Sequence, residues 1–184
     1  MSIRTGLLAL CVALPFAACK SPSDSAPPEV LLTENFNSEN GGLYKLNYTG
    51  FAQWTVVAGT VDLVGTYPYD DFLPKTQGLY LDLDGTTRAA GTLRSRTAFD
   101  LKPGNYRLEF KMSGTPRSNQ LPNTVIVTVG TVYTETITLS SFAPLNTYVR
   151  TFRVKSRESG NLTFQHLGGD DYGNFIDDIR LERL

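Results

Sequence analysis

The sequence predicts an all-β fold, an antiparallel two-sheet jelly-roll sandwich over residues 29–184. Three observations predict it. Apolar and polar residues alternate with period two in one segment after another, as in half-buried strands. Turn-forming clusters of Gly, Asn, Asp and Pro separate those segments at short intervals. No segment of the body carries a helical period, and Thr, Tyr, Val and Gly are abundant there while Ala is sparse, a composition that favours strands.

In chain order, Asn40-Gly41-Gly42 reads as a turn, and Trp54 lies in a strand context that makes it a core residue. Leu79, Leu81 and Leu83 alternate with Tyr80, Asp82 and Asp84, and Asp84-Gly85 closes that run. After the turn Lys102-Pro103-Gly104, residues Tyr106, Leu108, Phe110 and Met112 share one face, and Asn105, Arg107, Glu109 and Lys111 share the other. Burying those four apolar side chains contributes about 1.5–3 kcal/mol each as an upper estimate. Val125, Val127 and Val129 alternate with Thr124, Ile126 and Thr128. Tyr148, Phe152 and Val154 share a face with Arg150. Ser159-Gly160-Asn161 reads as a turn, followed by Leu162 and Phe164 on one face with His166. Gly168-Gly169-Asp170 is a further turn, and Phe175, Ile179 and Leu181 share the last face with Asp177. About ten short strands joined by polar turns make a sandwich or barrel.

The first residues read as a targeting segment. Arg4 is the only charge before Lys20, and Gly6 to Ala18 is apolar with small residues at its end, the pattern of a secretory signal. The run is shorter than the ~20 residues a membrane-spanning helix needs. Phe16-Ala17-Ala18-Cys19 resembles a bacterial lipobox, with Phe16 where Leu is usual. That resemblance implies cleavage after residue 18 and lipidation of Cys19. It also implies, through Lys20 rather than Asp beside the cysteine, residence at the outer membrane. Ser21 to Pro28 is rich in Ser and Pro and reads as a flexible tether. The expected division is therefore a signal peptide at 1–18, lipidated Cys19 and tether at 19–28, and one β-sandwich domain at 29–184.

Cys11 and Cys19 are the two cysteines. The mature domain is expected to hold no disulfide and to rest on its core, for which roughly 150 residues suffice. A net charge of −1 and a pI near 5.8 argue against nucleic-acid binding, which usually brings a basic excess.

Several motifs occur in order: Glu34-Asn35-Phe36, Gly50-Phe51-Ala52-Gln53-Trp54, Gly59-Thr60-Val61-Asp62-Leu63, Gly78 to Gly85, Ala90-Gly91-Thr92-Leu93, Leu101-Lys102-Pro103-Gly104-Asn105-Tyr106 and Phe175-Ile176-Asp177-Asp178-Ile179. Together they resemble the galactose-binding-like jelly rolls of PEP-CTERM-related exported proteins and, more remotely, carbohydrate-binding modules. The resemblance implies a fold and a general role in extracellular glycan recognition. Those jelly rolls also hold a structural Ca²⁺ where the first strand meets the last. Asp177 and Asp178 match the closing acidic pair, while Asn37, with Glu34 nearby, stands where the family has an acid. The ligand set so implied is Glu34, Asn37, Asp177 and Asp178. The alternative is that Asp177 accepts backbone N–H bonds and Asp178 is solvated.

No catalytic residue is predicted. A Ser-His-Asp arrangement would have to use His166, the only histidine, which lies on the apolar parity of its strand. Carboxylate pairs at Asp70-Asp71, Asp82/Asp84, Asp170-Asp171 and Asp177-Asp178 have the residue type a glycosidase needs, but spacing along the chain does not set their separation in space. For sugar binding the useful chemistry is an aromatic face plus polar side chains. The loop Tyr67-Pro68-Tyr69-Asp70-Asp71-Phe72 supplies both, and Tyr172 beside Asp170 and Asp171 is a second candidate. The ligand residues expected are Tyr67, Tyr69, Asp70, Asp71 and Tyr172. Three functions follow: a lipid-anchored, non-catalytic envelope protein recognising glycan or exopolysaccharide; a structural or protein-interaction surface subunit; and a glycoside hydrolase. Exposure of the tyrosines separates the first two.

Overall fold

A computed structural model describes residues 27–69, 72–116 and 121–184. The signal segment, Cys19, nearly all of the tether, Asp70 and Asp71 lie outside the described residues. Thirteen strands occur within them: β1 (Glu29–Glu34), β2 (Trp54–Ala58), β3 (Asp62–Val64), β4 (Tyr80–Asp82), β5 (Thr92–Ser95), β6 (Phe99–Leu101), β7 (Gly104–Ser113), β8 (Asn123–Val129), β9 (Tyr133–Leu139), β10 (Asn146–Val154), β11 (Glu158–Gly160), β12 (Leu162–His166) and β13 (Phe175–Arg183). Two short 3₁₀ turns lie at Glu39–Gly42 and Lys75–Gln77.

Every pairing is antiparallel. One sheet runs β10-β7-β13-β4-β3, with β1 also on β13. The second runs β2-β5-β12-β8-β9, and β6 and β11 form a separate two-stranded ribbon. The expected two-sheet sandwich is thus the observed fold. Its core is the predicted one: Leu108, Phe110, Val125, Val127, Val129, Phe164 and Leu181 are all fully buried. An aromatic chain runs through it, from Phe51 to Phe36 (ring centroids 6.2 Å), Phe36 to Trp54 (6.5 Å), Trp54 to Phe164 (6.1 Å) and Phe164 to Phe110 (5.3 Å). Such tilted and edge-on pairs add to the area term.

Three details depart from the sequence reading, each for a local reason. The Ser159–Asn161 turn is partly strand, because Glu158–Gly160 pairs with Leu101–Phe99. Glycine is needed there for close approach: a Cβ on Gly160 would lie 2.5 Å from Gly130 Cα. Second, the leucine run around β4 is not half-buried. Tyr80, Asp82 and Asp84 are buried as fully as Leu79, Leu81 and Leu83, because this strand has cover on both faces. On the second face Val64, Tyr80 and Phe175 form a small core with Leu46, Tyr69, Phe72 and Leu73, contributed in part by the β3–β4 connection.

Third, the face assignment of β13 changes midway. Asp177 pairs with Lys111 but Arg180 pairs with Glu109, so β13 takes three steps where β7 takes two. This is a β-bulge, and its extra residue is Asp178, with φ of 46°. Ile176, Ile179 and Leu181 therefore face the main core, and Phe175 faces the second one. Strict alternation would have put Phe175 with Ile179 and Leu181.

Candidate functional site

Residues 43–46 lie beside the exit of β3. Lys45 and Leu63 exchange backbone hydrogen bonds (2.8 and 3.0 Å), and the Tyr44 N–H donates to Thr66 Oγ1 at 2.9 Å. The Asn40 side-chain amide donates to the carbonyls of Leu43 (3.0 Å) and Tyr44 (3.2 Å), closing the Asn40-Gly41-Gly42 turn over them. The product is a surface cleft of about 590 Å³ lined by Asn40, Leu43, Tyr44, Lys45, Leu46, Thr66 and Tyr67. That volume falls in the ~300–1,000 Å³ range of small-molecule sites. Tyr67 is 83% exposed and Leu43 62%. Large apolar side chains held in solvent at the rim of a cleft suit a ligand with an apolar face.

Of the expected ligand residues, Tyr67 lines this cleft and is exposed. Tyr69 sits differently: it is half-buried, packs against the second core, and supports Tyr44 edge-on with ring centroids 5.1 Å apart. It is a strut under the cleft rather than a face of it. Tyr172 does not join Tyr67. It is half-buried, its carbonyl accepts a hydrogen bond from the Asn123 amide, and neighbouring Asp170 lines another cleft with Asn123 and Leu167. Asn40, Leu43, Tyr44 and Lys45 were missed by the sequence reading. The Asn-Gly-Gly turn beside an aromatic was visible, but its partner strand lies about twenty residues further along, and only the fold brings them together.

Asp84 and Asp62 are committed to the backbone. Asp84 Oδ2 accepts the N–H of Asp170 (2.8 Å) and of Asp171 (3.2 Å), which fixes the β12–β13 connection. Asp62 accepts the N–H of Asn47 (2.7 Å) and of Thr86 (3.2 Å). Both residues are buried, so neither presents a carboxylate across a cleft. His166 is 2% exposed, as its parity predicted. Its Nδ1 accepts the Gly168 N–H at 3.0 Å and lies 4.0 Å from Asp84 Oδ2. Burial holds this imidazole below its usual range, against the opposing charges of Asp84 and Asp170. The ring is sealed in the interior and packs there.

Each residue of the quartet expected to hold Ca²⁺ is engaged by a protein group. Glu34 Oε1 accepts the N–H groups of Asn35 (3.0 Å) and Phe36 (2.8 Å), and Oε2 accepts from Gln53 (3.1 Å). Asn37 Oδ1 accepts the Leu79 N–H at 2.7 Å. Asp178 pairs with the Lys111 ammonium at 2.7 Å, and Lys111 also donates to Gln77 at 3.2 Å. The Lys111 ammonium thus pairs with Asp178 beside the bulge. Among the described residues no three His, Cys, Asp or Glu side chains are grouped to hold a metal. Asp177 is 1% exposed; its Oδ1 accepts the Asp178 N–H at 2.7 Å, and its Oδ2 has no partner. Burial pushes its carboxyl up to about 8, with Asp178 and Glu34 adding to the rise and Lys111 opposing it.

No family model matches the chain, and no curated protein matches it. Solved structures do match in fold. The CBM22-1 xylan-binding domain of Xyn10C from Paenibacillus barcinonensis is 13% identical, with 85% of this chain and 95% of that one covered and a TM-score of 0.50. The K1 cleaved adhesin domain of Lys-gingipain from Porphyromonas gingivalis W83 is 14% identical, covering 77% and 98%, also with a TM-score of 0.50. At these identities the likeness is one of fold alone: the chain has the β-sandwich of carbohydrate-binding modules.

Proposed function

We propose that the chain is an exported, lipid-anchored, non-catalytic envelope protein that recognises glycan at the Tyr67 cleft. The observation that carries the reading is the exposure of Tyr67 beside Leu43 and Tyr44 in a cleft of sugar-binding size. An exposed phenol ring offers its face to sugar C–H groups and its hydroxyl to sugar oxygens. The Phe16–Cys19 motif and the tether behind it supply the attachment half of the proposal. Burial of His166 and backbone commitment of Asp62 and Asp84 favour binding over hydrolysis.

The test is a glycan array probed with the full chain carrying Cys19→Ser, and the same protein with Tyr67→Ala added. Retention on at least one glycan, lost on Tyr67→Ala at an unchanged melting temperature, is expected. Retention that survives Tyr67→Ala would place the ligand elsewhere. A second reading, a protein-interaction subunit, draws on one feature: an apolar groove of about 400 Å³ between Phe72, Leu73, Pro116, Phe142 and Leu145, with Phe142 63% exposed. An array without a hit, together with a partner lost on Phe142→Ser, would favour it.

A further inference from the structure

Resting on the glycan reading of the Tyr67 cleft, we infer that its ligand is an acidic glycan, whose anionic group pairs with the Lys45 ammonium. Among the described residues lining the cleft, Lys45 is the only charged one and none is a carboxylate. Lys45 is exposed and has no ion-pair partner among the described residues. Many other cations are neutralised within the fold: Lys102 by Glu29, Arg107 by Glu109 and Glu182, Lys111 by Asp178, Arg150 by Glu135 and Arg157 by Asp100.

The remaining polar groups of the cleft are neutral. Sugar hydroxyls both donate and accept, so they are held by carboxylate acceptors and by amides, which do both. Here the Asn40 amide nitrogen is used on Leu43 and Tyr44, and the Thr66 oxygen already accepts from Tyr44. What stays open to a ligand is the Asn40 amide oxygen, the phenol hydroxyls of Tyr44 and Tyr67, which both donate and accept, and the Lys45 ammonium, which only donates. The complement of an ammonium in a cleft with an apolar rim is a sugar ring bearing a negatively charged acceptor. A uronate carboxylate and a sulfate ester share that chemistry.

The test is calorimetric titration of the full chain carrying Cys19→Ser with three probes: neutral galacto-oligosaccharide, oligogalacturonate and sulfated galactan oligosaccharide. At least one acidic probe should bind about three- to tenfold more tightly than the neutral one, the range of a partly exposed, charge-assisted contact. That preference should shrink as salt rises. Lys45→Gln should abolish it at an unchanged melting temperature, and Lys45→Arg should retain it. The acidic probe that responds identifies the anion. Equal or tighter binding of the neutral probe, or a preference that survives Lys45→Gln, overturns the acidic-glycan inference and leaves the Tyr67 reading standing. If neither these probes nor the array bind, both fall.

Discussion

Replacing Asp177 by Asn should stabilise the protein at neutral pH and do little near pH 4. Asp177 is buried, one oxygen holds the Asp178 N–H, and the other has no partner. The nearby ammonium of Lys111 is engaged by Asp178 instead. The carboxyl therefore titrates at about 8 in the fold against 3.8 ordinarily. Because the folded value is raised, the native state binds the extra proton between those two values. Stability falls as pH rises through that window and levels off above it. At pH 7 the cost of holding the acid protonated is about 4 kcal/mol, at 1.36 kcal/mol per pH unit. Asn has the shape of the neutral acid, keeps the oxygen that accepts the Asp178 N–H, and cannot ionise. The assay is urea unfolding of both proteins at about pH 4, 6 and 8, followed by circular dichroism and repeated with calcium and with chelator. The expected advantage of Asp177→Asn is near zero at the low end and about 2–4 kcal/mol or more at the high end. An advantage that does not change with pH would refute the titration argument. An Asp177→Asn protein that is less stable at pH 8, in calcium only, would show that Asp177 ligates the ion after all.

His166 gives a pH dependence of opposite sign. Its folded value lies below 6.5, so its stabilising contribution is intact above that pH and is lost as pH falls through the folded value. Thermal melts from about pH 7.5 to 5 should show wild type losing stability relative to His166→Gln; parallel curves would count against a buried neutral imidazole. Cys19→Ser should move the full chain from the membrane pellet to the soluble fraction and abolish incorporation of a labelled fatty acid. Unchanged fractionation with no label in either protein would remove the lipid anchor from the proposal.

The legible part of the fold was the part governed by alternation. Val125 to Val129 has a regular partner on each side, and Tyr106 to Met112 pairs regularly with β10 while the bulge on its other side falls in β13, so parity alone sorted their faces. His166 was placed inside by the same rule. β13 broke the rule because one residue, Asp178, sits in a bulge, and nothing in Phe175-Ile176-Asp177-Asp178 signals a left-handed φ. The carboxylates were visible as residue types, but what they do was not. Asp84 holds the backbone of Asp170 and Asp171, on a connection 86 positions further along for the first of them.

The sequence by itself determined the class of fold, the identity of the core and the motif at Cys19, because each depends on side-chain polarity counted along a local stretch. Only the tertiary structure decided which residues form the cleft. Tyr67 was found in its own loop, but its neighbours Asn40, Leu43, Tyr44 and Lys45 reach it through a two-bond bridge between Lys45 and Leu63. Tyr69 and Tyr172 were separated from it by packing. A cleft is a meeting of segments distant in the chain, and contact between such segments is set by how the sheets close rather than by any local pattern of residues.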